Sequence, residues 1–368
     1  MRKILAIAAA AALALTMSAC GRDTGTPATG ASGSSAAVAV KGTIGVAMPT
    51  KTSERWIKDG DYIKQQLEAA GYTVNLVYAN DDIPTQVTQV NDMITKKNQL
   101  LIVAAIDGVA LKGALAEAKA AGIPVVAYDR LLLQTDAVSY YTTFDNFKVG
   151  VLQANSLLDG LAASGKPKPW NVELFAGSPD DNNATFFFNG AMSILQPKID
   201  DGTIKIPSAE TDFKVVATLR WDAAVAKKRM ENILTKSYAS TDVNGVLAPY
   251  DGLSRGIIAA LKGSGYGTGG KALPVVTGQD AELESVKSIL AGEQYSTVFK
   301  NTRDLAAAAV KMVQEITGGT TVTVNDTTSY NNGIKNVPTQ LLQPQVCDKS
   351  TCKQILLDAN YYTADQLA

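Results

Sequence analysis

Residues 42–56 read "GTIGVAMPTKTSERW", an apolar run that passes through a polar turn into a stretch of helical period. Past the turn, apolar residues recur at helical spacing as far as Gly71, a residue type that suits a helix end. Thr52 or Ser53 can cap the start of that helix. The stretch therefore predicts a strand followed by a helix, and it places Arg55 beside Trp56 where the two elements meet.

The same alternation continues along the chain. The apolar runs "YTVNLVYA", "QLLIVAAI" and "IPVVAYD" are separated by stretches of helical period, which is typical of βαβ units with a parallel sheet. A second series begins near Asn171 and contains "NVELFAG", "FKVVATL", "VNGVLAP", "LPVVTG" and "YSTVFK". Two sets of similar size predict two similar α/β domains that join within residues 140–150.

Composition limits the possible functions. The chain has 368 residues and is 46% hydrophobic, which is enough material for two domains with ordinary cores. The net charge of -1 comes without a basic run, so the electrostatic footprint of a nucleic-acid-binding protein is missing. The histidine count is 0, which excludes histidine-based triads, histidine general bases and histidine metal ligands.

The N-terminus is typical of a secretory signal peptide. Basic residues at positions 2 and 3 precede an apolar run over 4–15, and the segment ends in "TMSAC". The run is shorter than the roughly 20 residues that a bilayer span takes. A cysteine directly after small residues resembles a bacterial lipobox, in which Cys20 receives lipid and becomes the mature N-terminus. The alternative is ordinary secretion, with Cys20 incidental.

A tether follows this cysteine. Residues 21–37 are rich in Gly, Ser, Thr and Ala and show no periodicity. We therefore expect a lipoprotein signal peptide over 1–19 and a lipidated cysteine with a flexible tether over 20–41. The globular part would then stand at the outer face of the cell membrane, or in the periplasm.

Two further cysteines lie close together near the C-terminus. Cys347 and Cys352 in "CDKSTC" are near enough to form a disulfide in an oxidising compartment. A metal site is the alternative, but two cysteines without histidine make a poor ligand set. The pair favours a small local disulfide.

Polar and aromatic residues follow nearly every predicted strand. In open parallel sheets the carboxyl ends of the strands face a crevice that binds ligand. Singly, an Asp or Asn in this place is more often a helix cap. Arg130 could simply neutralise Asp129 or Asp280, and Trp56 could be a core residue on the helix face. Recurrence in both halves favours a binding site instead. The residues at these ends are Ser53, Glu54, Arg55, Trp56, Asp129, Arg130, Asp180, Asp181, Asn182, Asn183, Arg220, Trp221, Tyr250, Asp251, Gln279, Asp280 and Lys300.

This mixture of groups suits an uncharged sugar. Each sugar hydroxyl both donates and accepts, so it can pair with a carboxylate on one side and with Arg, Lys or Asn on the other. The C–H face of the sugar ring packs on an aromatic plane. Arg55 and Trp56 can supply one group of each kind from one helical turn.

Several longer stretches carry a family resemblance: "SERWIKDGDYI", "VVAYDRL", "TFDNFKVG", "GSPDDNNA", "TLRWD", "APYDGLS", "TGQDAE" and "GEQYSTVFK". From Ile44 to the C-terminus the chain resembles the periplasmic-type sugar-binding proteins of ABC importers, particularly the xylose-binding and multiple-monosaccharide-binding branch. The resemblance implies the α/β fold of a type I periplasmic binding protein, with two Rossmann-like lobes whose parallel sheets are joined by a three-strand hinge. Such a protein closes on one sugar.

The resemblance also implies roles for individual residues, namely stacking rings, carboxylates and cations that hold hydroxyls, and an amide contact from the second lobe. Two positions depart from the xylose and ribose branches. Tyr250 stands where an asparagine is expected, and a cation is often found near Phe186–Phe188, so the preferred sugar is left open. The ligand-binding residues predicted in this way are Arg55, Trp56, Asp129, Arg130, Asn182, Asn183, Trp221, Tyr250, Asp251, Asp280 and Lys300.

The resemblance further implies chain crossings near Thr143, Lys300 and Gly333. The predicted N-terminal lobe is 42–143 with 301–333, and the predicted C-terminal lobe is 144–300 with 334–368. The ligand would be an aldose such as xylose, glucose, galactose or arabinose, and the closed form would be recognised by an ABC permease whose ATPase is a further chain. We expect a monomer without cofactor, metal or nucleic-acid partner.

Three other functions remain open at this point. The closed form could be read by a receptor or sensor kinase. A sugar-cleaving enzyme could use two carboxylates as acid and base, with Asp129 and Asp280 as candidates. A transcriptional regulator can share the two-lobed scaffold, but it would need a helix-turn-helix headpiece where this chain has a signal peptide.

Overall fold

The computed structural model of the protein describes residues 41–368. The predicted signal peptide, the predicted lipidation site Cys20 and the predicted tether as far as residue 40 lie outside the described residues. Among the helices of the described part, none has the length and apolar character that crossing a membrane requires.

A six-stranded parallel sheet in the order β11-β5-β4-β3-β1-β2 combines five strands from the first half of the described chain with β11 from its C-terminal part. Apolar clusters pack on both of its faces, which explains why its strands read as nearly continuous apolar runs. The strands are β1 (Thr43–Met48), β2 (Thr73–Tyr78), β3 (Leu100–Val103), β4 (Val125–Tyr128), β5 (Val138–Phe144) and β11 (Thr339–Leu342). The helices that accompany this sheet are α1 (Glu54–Ala69), α2 (Ile83–Thr95), α3 (Lys112–Ala120) and α10 (Thr302–Thr317).

A second parallel sheet, with four strands in the order β7-β6-β8-β9, is built from residues 170–276. Two antiparallel strands, β10 (Ser296–Phe299) and β12 (Gln345–Asp348), lie next to this sheet. An isolated β-bridge between Gln279 and Val298 connects them to it. The parallel strands are β6 (Trp170–Leu174), β7 (Ile204–Lys205), β8 (Gly245–Leu247) and β9 (Val275–Val276). The helices are α4 (Asn146–Ala163), α5 (Asn182–Asp200), α6 (Phe213–Val216), α7 (Ala223–Ser237), α8 (Asp251–Gly263), α9 (Leu283–Ala291) and α11 (Cys352–Asp358). The prediction of two α/β sets with parallel sheets is confirmed.

The chain passes between the two sheets three times. It leaves the six-stranded sheet after β5, returns to it through α10 after β10, and leaves it again between β11 and β12. The third passage therefore lies between Leu342 and Gln345. The predicted crossing near Gly333 is too early, because β11 pairs with β5 and keeps the residues after Gly333 with the first sheet.

Helices α4 and α5 pack backbone to backbone. A Cβ at Gly150 would stand 1.9 Å from the Phe187 carbonyl oxygen, and one at Gly190 would stand 2.0 Å from the Phe147 carbonyl oxygen. Only glycine permits this approach. The close contact fixes the start of α5, which carries residues of the site described below.

Cys347 and Cys352 form a disulfide that joins the end of β12 to the start of α11, with the two Cα atoms 4.6 Å apart. Both cysteines are buried in an apolar cluster with Phe299, Tyr361 and Tyr362. The disulfide therefore fixes the C-terminal segment against β10.

Candidate functional site

A cavity lies where the strand ends of the two sheets meet, and it contains about 520 Å³ of empty space, part of it open to solvent. Residues that follow β1 and β4 line one side of it, and residues that follow β8, β9 and β10 line the other. The lining residues are Thr50, Thr52, Ser53, Arg55, Trp56, Asp81, Asp129, Arg130, Asp181, Asn183, Phe187, Arg220, Trp221, Tyr250, Gln279, Asp280 and Lys300.

The structure brings together all of the predicted ligand-binding residues except Asn182 and Asp251. Asn182 is the first residue of α5, and its amide nitrogen is buried without a hydrogen-bond partner among the described residues. Asp251 lies beneath the wall of the cavity, where its two side-chain oxygens accept from the Gln294 amide and the Glu282 backbone N–H, each at 2.9 Å. These contacts hold the side chain within the protein, and Asp251 is not among the residues that line the cavity, so its contact with ligand stays a prediction without support from this geometry.

Several lining residues were missing from the predicted ligand set. Ser53, Asp181, Arg220 and Gln279 were among the strand-end candidates, but the resemblance did not bring them into the ligand set. Phe187 lies one helical turn after Asn183 in α5, so helical spacing was the available signal. The rim residues Thr50, Thr52 and Asp81 carry no comparable pattern.

Arg55 is the centre of a buried charge network. Its guanidinium lies 2.8 Å from Asp59, 3.0 Å from Asp129 and 3.7 Å from Asp280. Lys300 extends the network, because its Nζ lies 3.0 Å from Asp280 and 4.0 Å from Asp129. Alternating cations and carboxylates thus run across the floor of the cavity.

Burial and the neighbouring cations shift the pKa values of the carboxyl groups in this network in opposite directions. Burial alone would raise the pKa of Asp129, but Arg55, Lys300 and Arg130 together hold it below its ordinary value. Burial raises the pKa of Asp59, and Arg55 only partly opposes the effect. Asp129 is therefore held as a carboxylate, a strong acceptor for hydroxyl groups.

Some buried polar atoms of the floor have no hydrogen-bond partner within the described residues. They include Nε of Arg55 and Oδ1 of Asp280, whose contact with Lys300 is an ion pair without hydrogen-bond geometry. Buried polar groups are normally satisfied by protein, water or ligand. The floor thus retains capacity for a polar molecule.

The second wall is joined directly to the first. Arg130 lies 3.0 Å from Asp181, and the Asn183 amide donates to the Asp129 backbone carbonyl at 2.8 Å. Asn183 also accepts from the Tyr141 hydroxyl at 3.3 Å. Asp129 and Tyr141 belong to the six-stranded sheet, whereas Asp181 and Asn183 begin α5, so these contacts cross the cleft and the structure is a closed form.

Aromatic rings bound the cavity on both sides. The Arg55 guanidinium lies 4.3 Å from the centroid of the Trp56 ring, and the Arg130 guanidinium lies 5.1 Å from it. Opposite, Trp221 meets Phe187 and Tyr250 edge to face at 6.2 and 6.1 Å.

Two local features fix this second group of rings. The Trp221 ring depends on Gly177, because a Cβ there would stand 2.0 Å from it. The Tyr250 hydroxyl donates to Glu282 at 2.6 Å. Tyr250 therefore presents its ring, more than its hydroxyl, to the cavity.

Left-handed backbone conformations concentrate around the site. Asp129, Arg220, Trp221 and Asp280 have φ of 60°, 58°, 55° and 91°. Such conformations cost non-glycine residues roughly 1–2 kcal/mol each. Strain of this kind persists where the surrounding structure enforces it, often at ligand clamps.

Residues 44–321 match the periplasmic binding protein domain. The chain belongs to the periplasmic binding protein family. A relative of this periplasmic binding protein is the multiple sugar-binding periplasmic receptor ChvE of Rhizobium radiobacter, 56% identical over 89% of this chain and 92% of the relative. The D-xylose-binding periplasmic protein of Escherichia coli is 35% identical over 88% of this chain and 92% of the relative.

A solved structure resembles this periplasmic binding protein along nearly its whole described length. The ABC transporter solute-binding protein of Clostridium phytofermentans with bound beta-D-glucose is 43% identical, with a TM-score of 0.84 over 89% of this chain and 100% of the other. The predicted type I fold is thereby confirmed.

Membership of the periplasmic binding protein family also bears on class and location. The family consists of non-enzymatic receptors, so the protein is not an enzyme, and the acid–base roles considered for Asp129 and Asp280 fall away. The relatives are periplasmic, which agrees with the expected extracytoplasmic location.

Proposed function

We propose that the protein is the extracytoplasmic substrate-binding component of an ABC sugar importer and that it binds an aldose such as glucose, galactose, xylose or arabinose in the cavity. The observation that carries the proposal is the floor of alternating charges at Arg55, Asp129, Asp280 and Lys300, bounded by aromatic rings. Hydroxyl groups pair with both signs of charge, and the ring face packs on aromatic carbon.

The binding residues in this proposal are Arg55, Trp56, Asp129, Arg130, Asn183, Trp221, Tyr250, Asp280 and Lys300, together with Asp181, Phe187 and Gln279. The names of two relatives, at 56% and 53% identity, mention multiple sugars. We therefore infer that the protein accepts several aldoses. The floor offers several charged groups, so binding does not depend on one particular hydroxyl of the sugar.

Hinge closure is the proposed mechanism. Sugar contacts both walls only when the cleft is closed, so it shifts the population toward the closed form. The lobes are proposed to follow the two sheets, with 334–342 assigned to the N-terminal lobe because β11 pairs with β5. The closed monomer would be recognised by a permease, which works with a separate ATPase chain.

Lipid anchoring at Cys20 is a further part of the proposal, carried by "TMSAC" and the tether after it. Incorporation of labelled palmitate into the wild-type protein, lost in Cys20→Ser, is the expected result. A wild-type protein that carries no lipid would contradict the anchor and leave the sugar-binding proposal untouched.

Titration calorimetry of the purified protein with glucose, galactose, xylose, arabinose, ribose and fructose tests the function. We expect binding of several aldoses, together with an increase in melting temperature that grows with ligand concentration. A folded protein that binds none of these sugars would overturn the proposal.

A further inference from the structure

The first two turns of α1 make contacts outside the cavity that cross the cleft. Lys58 Nζ lies 4.4 Å from the centroid of the Tyr362 ring and 5.4 Å from that of Tyr361. It also donates to the Tyr362 hydroxyl at 3.3 Å. The Lys58 side chain is 38% exposed and is absent from the cavity lining, so it has no contact with the proposed sugar position.

Tyr361 and Tyr362 form a rigid aromatic surface on which this cation packs. The two rings are buried and meet edge to face at 5.0 Å, and Tyr361 packs on Phe299 at 4.9 Å. The Tyr362 hydroxyl donates to the backbone carbonyl of Ala281 at 2.9 Å. Ala281 directly follows Asp280, so this hydrogen bond connects the tyrosine pair to the backbone that positions a carboxylate of the cavity floor.

Neighbouring residues of α1 reach the same segment. Leu283 N–H donates to Glu54 at 3.4 Å, and the Ser53 hydroxyl donates to Glu282 at 3.0 Å. Ser53 is the N-cap residue of α1, but its side chain makes no capping bond and crosses the cleft instead. The outer face of α1 and residues 281–283 therefore form a continuous contact beside the cavity.

We propose that Lys58 is a positioning residue that holds the cleft closed from outside by its contact with Tyr361 and Tyr362. This inference rests on the proposed sugar-binding function. The contact favours the closed form without touching ligand, so it multiplies the affinity for every sugar by one common factor. A residue that touched the sugar would discriminate between sugars that differ at one hydroxyl.

The size of the effect follows from the geometry. A partly exposed cation over a phenol ring changes an equilibrium by roughly two- to five-fold. The ion pair of Lys58 with Glu54 lies within α1 and does not cross the cleft, so its loss has little influence on closure. Release of sugar requires opening, so the dissociation rate carries most of the change.

The test compares three substitutions on one helix. Lys58→Met removes the cation, Lys58→Arg keeps a cation over the rings, and Lys64→Met removes an exposed lysine of α1 whose ion-pair partner is Glu68 in the same helix. Calorimetry and stopped-flow kinetics are run with glucose, galactose, xylose and arabinose. We expect Lys58→Met to raise every Kd by the same two- to five-fold factor, with Lys58→Arg and Lys64→Met near the wild-type values.

A double-mutant cycle gives a second measurement. Tyr362→Phe retains the ring and its packing but loses the hydroxyl, so Lys58→Met should still weaken binding in that background, by a smaller factor than in the wild type. Wild-type affinity in Lys58→Met, loss confined to one sugar, or no rescue by arginine would overturn the inference alone. A wild-type protein that binds no sugar would overturn the proposed function, and this inference with it.

Discussion

Arg55 and Trp56 are neighbours in sequence but differ in their surroundings. The Arg55 guanidinium joins Asp59, Asp129 and Asp280, whereas the Trp56 ring is approached by two guanidinium groups and packs in the core of the first sheet. One helical turn therefore connects the charged floor of the cavity to the apolar core. The stacking of Trp56 on a sugar stays a prediction.

Asp129 is the residue whose loss should affect binding most. Asp129→Ala leaves Arg55 and Lys300 with one fewer counter-charge in a buried site, a change that costs on the order of 3 kcal/mol. We expect affinity for every aldose to fall by roughly 100-fold or more in calorimetry. Asp136→Ala removes an exposed carboxylate outside the cavity and should bind normally. Unchanged affinity in Asp129→Ala would remove Asp129 from the site.

Asp280 allows backbone strain to be separated from charge. With φ of 91°, this position suits glycine, so Asp280→Gly and Asp280→Ala both lose the carboxylate but only the alanine variant keeps the strain. We expect both to lose sugar affinity, with the glycine variant more resistant to chemical denaturation by about 1 kcal/mol. Equal unfolding free energies in the two variants would show that the backbone there is unstrained.

The cavity residues could be predicted from sequence to the extent that they follow strands. Position after a strand is a one-dimensional property, so it selected Arg55, Asp129 and Lys300. It could not show which way a side chain points, and Asp251 turns into the protein to accept from Gln294. Phe187 was missed because it reaches the cavity from within α5.

Among the elements, the α4–α5 pair has the tightest steric requirement. Gly150→Ala would place its Cβ against the Phe187 carbonyl oxygen, so the helices must separate at a cost of about 1–3 kcal/mol. We expect a lower melting temperature and, because Phe187 lines the cavity, weaker sugar binding.

Gly113→Ala in α3 is the matched control, since a Cβ there would have no neighbouring atom within 4 Å in the part of the chain that the structure describes. Better helix propensity should leave that variant as stable as the wild type or up to about 1 kcal/mol more stable. A Gly150→Ala protein that matched it in stability would contradict the close packing of α4 and α5.

The order of elements could be read from sequence because strand and helix periods alternate along the chain. The third passage of the chain between the two sheets could not be read from sequence. The strand before it, β11, contains no long apolar run, and its place depends on pairing with β5. Non-local pairing of this kind leaves little local signal.

At the scale of the whole molecule, stability should depend on pH through Asp251. Burial, with a further contribution from Glu282, raises the pKa of Asp251 from 3.8 to about 8. Between these values the unfolded chain has lost a proton that the folded protein keeps. The free energy of unfolding should therefore fall as pH rises from about 4 to about 8, by up to about 1.4 kcal/mol per pH unit from this group.

Asp251→Asn removes the titration, and the Gln294 amide can turn its oxygen, which has no hydrogen-bond partner among the described residues, toward the new amide. Urea denaturation across that pH window should show a flatter dependence in this variant than in the wild type. Asp365→Asn, at an exposed carboxylate, should retain the wild-type slope. Parallel curves for Asp251→Asn and the wild type would mean that Asp251 is ionised in the folded protein.

The late position of β11 and β12 has a consequence for biosynthesis. Residues 339–348 supply the edge strand beside β5 and the partner of β10, so the first sheet and the β10 pairing both wait for a segment that the ribosome makes after every other strand. Neither pairing can form in a nascent chain until these residues have been made. For a protein that works outside the cytoplasm, we expect this late pairing to delay the final fold, which would favour passage of the polypeptide through a translocation channel.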